Sequence, residues 1–391
     1  MKWKTIRADE FCESVRDGTH DTPKQTETGY KLLTSKHIKN GQITPVDAYY
    51  ISEEDYKKIN ARSLVEQWDV IMSMIGTVGE AAVVRNQPNY AIKNVALFKC
   101  AGSELKGKWL AYYLSSPDAQ GHMSGNQKGS SQQFLSLKQL RSLQIPITDE
   151  SYMLKVVDIL SAYDDLIENN QKQIKLLEEA AQRLYKEWFV DLRFPGHENT
   201  KITDGIPEGW KIQTLSQIAD VVMGQSPKSE FYNQNGQGLP FHQGVGSYGT
   251  RFVVDKIYST SFTRIAEAGS ILFSVRAPVG RLNLTRNRVV IGRGLAAINH
   301  RLGKQSYLFY LLKEHFFKDD VIGNGAIFAS ISKDELLAQQ FTIPVSNLIE
   351  QFNVIVSDMD GRIAELAEQV TLLIEARDRL LPKLMSGEIE V

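Results

Sequence analysis

SYMLKVVDILSAYDDLIENNQKQIKLLEEAAQRLYKEWF (Ser151–Phe189) and LIEQFNVIVSDMDGRIAELAEQVTLLIEARDRLLPKLMSG (Leu348–Gly387) decide the fold of this 391-residue chain, because they say nearly the same thing twice. Laid on one another without gaps, Ser161 meets Ser357, Asp164 meets Asp360, Ile167 meets Ile363, Gln173 meets Gln369, Glu179 meets Glu375, Ala180 meets Ala376 and Arg183 meets Arg379. Apolar residues step by three and four along both. The first series is Leu160, Tyr163, Ile167, Asn170, Ile174, Leu177, Ala181, Leu184 and Trp188. The second is Val356, Met359, Ile363, Leu366, Val370, Leu373, Arg377, Leu380 and Leu384. A sustained 3-4 step is the coiled-coil pattern, a narrow apolar seam that needs a partner. That partner is the other helix packed antiparallel, helices of another protein, or both. Asn170 interrupts the seam: either it is buried and fixes register at a cost in stability, or it lies at a wet edge.

The repeat extends outward into two globular halves. Trp3-Lys4 corresponds to Trp210-Lys211, and DVIMSMIGTVGE (Asp69–Glu80) to SILFSVRAPVGR (Ser270–Arg281), apolar strands ending at a Val-Gly turn. IKNVALF (Ile92–Phe98) and IGRGLAAI (Ile291–Ile298) read as the next strand of each half, followed by the short apolar helices LAYYLS (Leu110–Ser115) and LFYLLK (Leu308–Lys313). Gly125-Asn126 and Gly323-Asn324 open matching polar loops of different content, QKGSSQQFLS (Gln127–Ser136) and GAIFASIS (Gly325–Ser332). One framework with different loops suits two modules reading different targets, and neutral drift after duplication produces it as well. Ile145-Pro146-Ile147 and Ile343-Pro344-Val345 close each half before its long helix. VDLRFPGHENTKITDGIPEGW (Val190–Trp210) reads as a linker from its glycines, prolines and polar residues.

Composition narrows the function. Hydrophobic content of 42% and charged content of 23% are those of an ordinary globular protein. Cys12 and Cys100 are too few for a disulfide framework or a thiolate metal site, the N-terminus lacks an apolar signal core, and no run is long enough to span a bilayer; a reducing cytoplasm is the expected setting. The seven histidines are scattered, so no metal is expected. The net charge of −1 hides a segregation. Acidic residues crowd the long helices, whereas Arg264, Arg276, Arg281, Arg286, Arg288, Arg293, Arg301 and Lys304 stand against Glu267 alone. A phosphate backbone needs a local basic surface, not a basic protein. From Leu160 to Trp188 a helix spans roughly 40 Å, against ~34–36 Å for one turn of DNA.

Catalytic motifs are missing. There is no Gly-Lys-Ser/Thr, no Asn/Asp-Pro-Pro-Tyr/Phe and no Gly-x-Ser-x-Gly. Gly244-Val245-Gly246-Ser247-Tyr248-Gly249 fits G-x-G-x-x-G as a string, but strand-like RFVVDKI (Arg251–Ile257) follows where a nucleotide site requires a helix. The chain reads as non-catalytic, with no catalytic or metal-ligating residue to nominate.

Over essentially its whole length the chain resembles the specificity (S) subunit of type I restriction-modification enzymes. The resemblance rests on ILSAYDDLIENNQKQIKLLEEAAQRLYKEWFVDLRFPG (Ile159–Gly196), IPEGWK (Ile206–Lys211), RDRLLPKLMSGEI (Arg377–Ile389) and the duplication. One departure is that Glu350-Gln351 is kept in the second half while the first has Asp149-Glu150 without the Gln, which leaves the helix start open. The resemblance implies an α+β fold: two similar mixed α/β target-recognition domains separated by two long helices forming an antiparallel coiled coil, an internal pseudo-two-fold repeat. The expected divisions are a first recognition domain (1–148), a central spacer helix (149–190), a linker (191–209), a second recognition domain (210–345) and a C-terminal spacer helix (346–391). It further implies that each domain reads half of an interrupted double-stranded DNA site. Two methyltransferase (M) subunits would dock on the helices and bring S-adenosylmethionine for adenine-N6 methylation. Restriction (R) subunits would join with ATP and Mg2+.

The family carries no residue code for base reading, so the candidates are chemical. In the first half they are Lys36 and His37 after the strand Tyr30–Leu33, and Lys128, Ser130, Ser131, Gln132 and Gln133. In the second they are His242 and Gln243, aligned with Thr34 and Ser35, together with Arg251, Arg276, Arg293 and Asn324. Arg pairs bidentately with guanine and Gln with adenine. Two rivals are kept: a fused methyltransferase with divergent motifs, and a coiled-coil scaffold that never touches DNA.

Overall fold

A computed structural model describes residues 3–125, 134–316 and 330–391. The chain divides into two units, Met1–Asn169 with Gln369–Val391, and Asn170–Glu368. Each unit holds one globular head and a stretch of both long helices.

Each head is built on a four-stranded antiparallel sheet. In the first the order is Ser14–Asp17, Val95–Lys99, Val70–Ser73, Ala81–Val83; in the second it is Ala219–Met223, Leu295–His300, Ile271–Ser274, Leu282–Leu284. The two central strands of the first sheet are buried at every position, which is why VIMS and VALFK run apolar rather than alternating. A second sheet pairs Tyr30–Leu33 parallel to Tyr90–Ile92, and its counterpart pairs Leu239–His242 parallel to Val289–Ile291. A two-stranded ribbon closes each head, Lys4–Arg7 with Gln144–Ile147 and Lys211–Thr214 with Gln340–Ile343. The helices Glu104–Ser115 and Gln305–Phe316 bury Trp109, Leu110, Tyr112 and Tyr307 to Leu312 against the sheets. The expected α+β class and the internal repeat are both present.

The central helix runs Glu150–Tyr185 and continues as a π-helical turn, Lys186–Val190; the C-terminal helix runs Ser346–Ser386. They begin at equivalent positions of the repeat, so the missing Gln of the first half does not shift the start. The two pack antiparallel. In the first unit the Tyr152 hydroxyl donates to the carbonyls of Leu384 (3.0 Å) and Ile389 (2.7 Å), and Arg377 reaches Asp164 at 2.7 Å. In the second, Ile174 packs with Ile363 and Leu366, and Tyr185 and Trp188 meet Phe352. The seam has two kinds of partner. Leu160 and Leu384 join the first head's core and Ala181, Trp188 and Val356 the second's, while Ile174, Ile363 and Leu366 form a helix-to-helix cluster of their own. Asn170 is 6% exposed, which decides for the buried reading.

Three expectations need correction. The segments read as single strands at Ile92–Phe98 and Ile291–Ile298 are each two strands, broken at Asn94, which adopts φ 55°, and at Gly292-Arg293-Gly294. Arg251–Ile257 is not a strand: Phe252 and Val253 make isolated bridges, and the strand is Tyr258–Ser259. The segment read as a linker contains a hairpin, Ile202–Thr203 with Ile206–Pro207, turned by Asp204 and Gly205 at φ 50° and 76°. Asp-Gly is the residue pair that a two-residue hairpin loop with both central φ positive prefers. Phe194 in the same segment is buried against Trp210, 5.4 Å between ring centroids. No helix of the described residues is long and apolar enough to cross a membrane.

Candidate nucleic-acid interface

The strand break at Gly292-Arg293-Gly294 lies at a junction where several chain crossings of the second head are laced by backbone hydrogen bonds. Gly292 N–H donates to the His242 carbonyl (2.8 Å), Gly294 to Gln243 (3.1 Å), Val275 to Gly294 (2.9 Å), Gln225 to Ile291 (2.9 Å) and Ile291 to Arg264 (2.9 Å). Arg293 N–H donates to Ser226 Oγ at 3.2 Å. Glycine is required because a Cβ on Gly294 would lie 2.4 Å from the Gln243 oxygen, and one on Gly224 2.2 Å from the Gly292 oxygen. The lacing brings Gln225, Ser226, Gln243, Arg264, Arg276 and Arg293 onto one rim.

The first head repeats the lacing. Gly18 N–H donates to Val95 (2.9 Å), Thr19 to Ile92 (3.0 Å), Asn94 to Thr19 (3.1 Å) and Lys93 to Leu33 (2.8 Å). A Cβ on Gly18 would stand 2.3 Å from the Ile92 oxygen, matching the crowding at Gly224. The neighbouring turn is also duplicated. Ser73 Oγ donates to the Thr77 carbonyl and accepts from Glu80 N–H (3.0 Å); Ser274 Oγ donates to the Pro278 carbonyl (2.6 Å) and accepts from Arg281 N–H (2.8 Å). These serine-braced turns present Ile75 in one head and Arg276 in the other. Each bridges the segment that returns from the long polar loop, Ile75 to Phe134 and Arg276 to Ser330.

One frame thus carries two chemistries. In the second head Arg264, Arg276 and Arg293 are exposed and, among the described residues, have no carboxylate partner. The rest of the arginine-rich stretch is differently engaged: Arg288 pairs with Glu267 (3.1 Å), Arg301 with Asp220 (3.1 Å), Lys304 with Glu350, and Arg286 lies 4.5 Å over the Phe252 ring. The first rim carries mixed polar groups in place of free guanidinium groups. His20 bridges Asn94 (2.8 Å) and Asp17 (2.9 Å), and the Lys93 ammonium donates to Thr22. Unpaired guanidinium groups on a rim are free to meet phosphate or the guanine edge, while amides and imidazole suit mixed donor–acceptor edges.

The candidates chosen from sequence separate by burial. Gln243, Arg276 and Arg293 are exposed on the second rim, and Lys36 is exposed beside Asp47 at 3.4 Å. His37 is 2% exposed: its Nδ1 accepts from Thr34 N–H at 2.8 Å, and burial pulls its pKa below the usual imidazole value, so it caps the Ser35–His37 turn as a neutral ring. His242 is fully buried and faces Asp255 at 3.0 Å. The register explains it: Leu33 pairs with Ile92 as His242 pairs with Ile291, so His242 matches the core residue Leu33, not Thr34, and Gln243 takes the Thr34 place. Arg251 is 4% exposed, with its guanidinium 2.5 Å from Asp360 and 3.8 Å above the Phe309 ring. These three buried side chains are structural and are withdrawn as base readers. Lys128, Ser130, Ser131, Gln132, Gln133 and Asn324 lie outside the described residues. Sequence reasoning missed Gln225, Ser226, Arg264, Thr19, His20 and Asn94. One signal was available: GTHDTPK (Gly18–Lys24) and GQSPK (Gly224–Lys228) share their glycine and Pro-Lys ends, with a two-residue difference between.

Residues 1–179 and 207–376 match the model of the type I restriction modification DNA specificity domain. A Methanocaldococcus jannaschii protein named as the MjaX type I restriction enzyme specificity subunit is 27% identical over all of this chain and 94% of its own length. The MjaIX specificity subunit of the same organism is 25% identical over 87% of this chain and 82% of its own. The HindI specificity subunit of Haemophilus influenzae is 21% identical over 65% of this chain and 71% of its own. Among solved structures, the S subunit of a type I restriction-modification system from M. genitalium has a TM-score of 0.60 at 15% identity, covering 98% of this chain and 96% of that one, and so shares the fold.

Proposed function

This chain belongs to the type I restriction-modification DNA specificity family, and we propose that each of its heads reads one half of a bipartite, interrupted DNA site. The observation that carries this reading is the laced rim, built twice on one hydrogen-bond frame and furnished with different side chains. A frame kept while its side chains change is what two readers of different base sequences require. Arg264, Arg276 and Arg293 would serve the second half-site; Thr19, His20 and Asn94, with Lys36 nearby, the first. Phosphate contacts would position the heads and base-edge contacts would specify.

The chain itself performs no chemistry in this reading and works in the cytoplasm. Two methyltransferase subunits dock on the long helices and bring S-adenosylmethionine for adenine-N6 methylation; restriction subunits add ATP- and Mg2+-dependent cleavage. The seam residues are occupied by the chain's own packing. Docking therefore uses the outer faces, where Leu176 and Leu372, equivalent in the repeat, are 56% and 58% exposed. The test is base-resolved methylation of genomic DNA from cells carrying this chain with its methyltransferase, against cells lacking only this chain. Loss of N6-methyladenine from one interrupted motif supports the proposal. An unchanged pattern with an active partner would return the scaffold reading.

Arg276→Ala is expected to relax the base preference of the second half-site by ~1–3 kcal/mol and leave the first unchanged. Equal weakening on every sequence, with a salt slope lower by roughly 1, would make Arg276 a phosphate contact instead.

A further inference from the structure

Arg251 and its surroundings are used neither by the rim nor by the seam, yet they are among the most deliberately built parts of the second unit. The guanidinium is buried between the two long helices and the second head. It meets Asp360 of the C-terminal helix at 2.5 Å and Glu178 of the central helix at 3.8 Å. It is 3.8 Å over Phe309 and 5.5 Å from the Tyr310 ring, both on the head's helix, and the Tyr310 hydroxyl points at Asp360 at 3.4 Å. Lys313, from the same helix, reaches to 5.9 Å from the Tyr310 ring, and burial pulls its pKa down while burial raises that of Glu178. Two cations and two carboxylates therefore gather where three helices meet.

The first unit has the same anchor with another cation. Asp164 is the repeat equivalent of Asp360, and Tyr112 of Tyr310. The Tyr112 hydroxyl donates to Asp164 at 2.7 Å. Charge is supplied there by Arg377 of the C-terminal helix at 2.7 Å and by Arg85 of the head, 3.9 Å from Asp164 and 2.9 Å from Asp165. The tyrosine and aspartate are duplicated, whereas the arginines come from unrelated segments. Arginine supply at that carboxylate has been met twice by different routes, which marks the junction as a required feature and not an inherited accident.

We propose that the Asp360–Arg251 junction, like its Asp164 counterpart, is a positioning clamp that fixes the angle of a head on its helices and so sets how strictly the gap between the two half-sites is enforced. This rests on the half-site reading above. A head held by packing alone can rock on its helix; one held by a buried, directional ion pair and a stacked guanidinium has a single seat. Arg251 acts through the head's orientation and is a positioning residue.

The test is base-resolved methylation by the complete complex on a library in which both half-sites are intact and the gap varies by single base pairs. Arg251→Met is expected to keep both half-site sequences and methylation at the normal gap, and to lose about tenfold in discrimination against gaps one base pair longer or shorter. Arg251→Lys, which keeps the charge, should recover part of that loss. If Arg251→Met fails to fold, Asp360→Asn, which keeps the shape and the contact with Tyr310, is read in the same way. Gap discrimination equal to that of the unaltered complex, in a folded variant of either kind, overturns the clamp while leaving half-site reading intact. Absence of any interrupted motif with the unaltered complex overturns both.

Discussion

Asp69 and Lys99 show how one position can be solved by different chemistry in the two heads. The Asp69 carboxylate is buried, accepts from the N–H groups of Cys100 (3.0 Å) and Glu66 (2.8 Å), and meets the Lys99 ammonium at 2.6 Å. Burial raises its pKa against the opposing pull of Lys99 and those donors. In the second head the same strand positions hold Ser270 and Asn299, both neutral. Removing one partner leaves a buried charge uncompensated, whereas replacing both is often nearly neutral. Lys99→Asn is therefore expected to cost ~3–5 kcal/mol, and adding Asp69→Ser to recover a large part of it, both read from urea unfolding of the first unit. Such pairs were invisible in sequence, because Asp69 and Lys99 are thirty residues apart and nothing in their spacing predicts contact. The candidate readers fared similarly. Arg276 and Arg293 could be named from charge and proximity to glycine turns, but exposure decides whether a polar residue reads DNA. His37, His242 and Arg251 are polar by composition and structural by position.

At the scale of elements, periodicity was a reliable guide and turns were not. The long helices, the paired strands of each half and the short apolar helices all announced themselves through repeating apolar positions. The break in the segment after them did not, since a three-residue turn between two buried strands leaves an almost continuous apolar run. Its glycines are explained by close crossing, since a Cβ on Gly292 would stand 2.9 Å from Ser226 Oγ and one on Gly294 2.4 Å from the Gln243 oxygen, a constraint set by residues distant in the chain. Gly294→Ala would drive a Cβ into the Gln243 carbonyl and displace Arg293 from the rim. The expected result is loss of methylation at sites that depend on the second half-site, with the C-terminal helix still folded by circular dichroism. Gly246→Ala is the control, because a Cβ there meets nothing within 4 Å and its φ, like that of Gly294, is not positive. Similar loss in both would assign the effect to a general disturbance of the second head and not to the crossing at the rim.

At the scale of the molecule, the first unit is assembled from two separate pieces of chain and the second is one continuous stretch. The first takes Gln369–Val391 from the C-terminus and the second takes the rest of the same helix up to Glu368. Leu381, Leu384 and Met385 belong to the core of the first head, and Phe352 and Val356 to that of the second. A chain ending at residue 345 would lose all five. Each buried Leu or Phe is worth ~2–5 kcal/mol on removal, against a domain stability of ~5–15 kcal/mol. Such a chain is expected to lose cooperative unfolding in both units, measured by calorimetry. Survival of a sharp transition belonging to the first head would show that it stands without the C-terminal helix.

The sequence by itself determined the duplication and the two seams, because these are written as periodic apolar patterns that local geometry reads out directly. It also carried the family resemblance, through stretches in and beside the long helices, and with it the expectation of an α+β class. Only the tertiary structure decided which polar side chains are free. Burial, the register that puts His242 in the place of a core leucine of the first head, and the lacing that gathers Arg264, Arg276 and Arg293 all depend on contacts between residues far apart in the chain. No local pattern encodes the sum of those contacts. For that reason one arginine of the second head lies on the rim and another is sealed against Asp360.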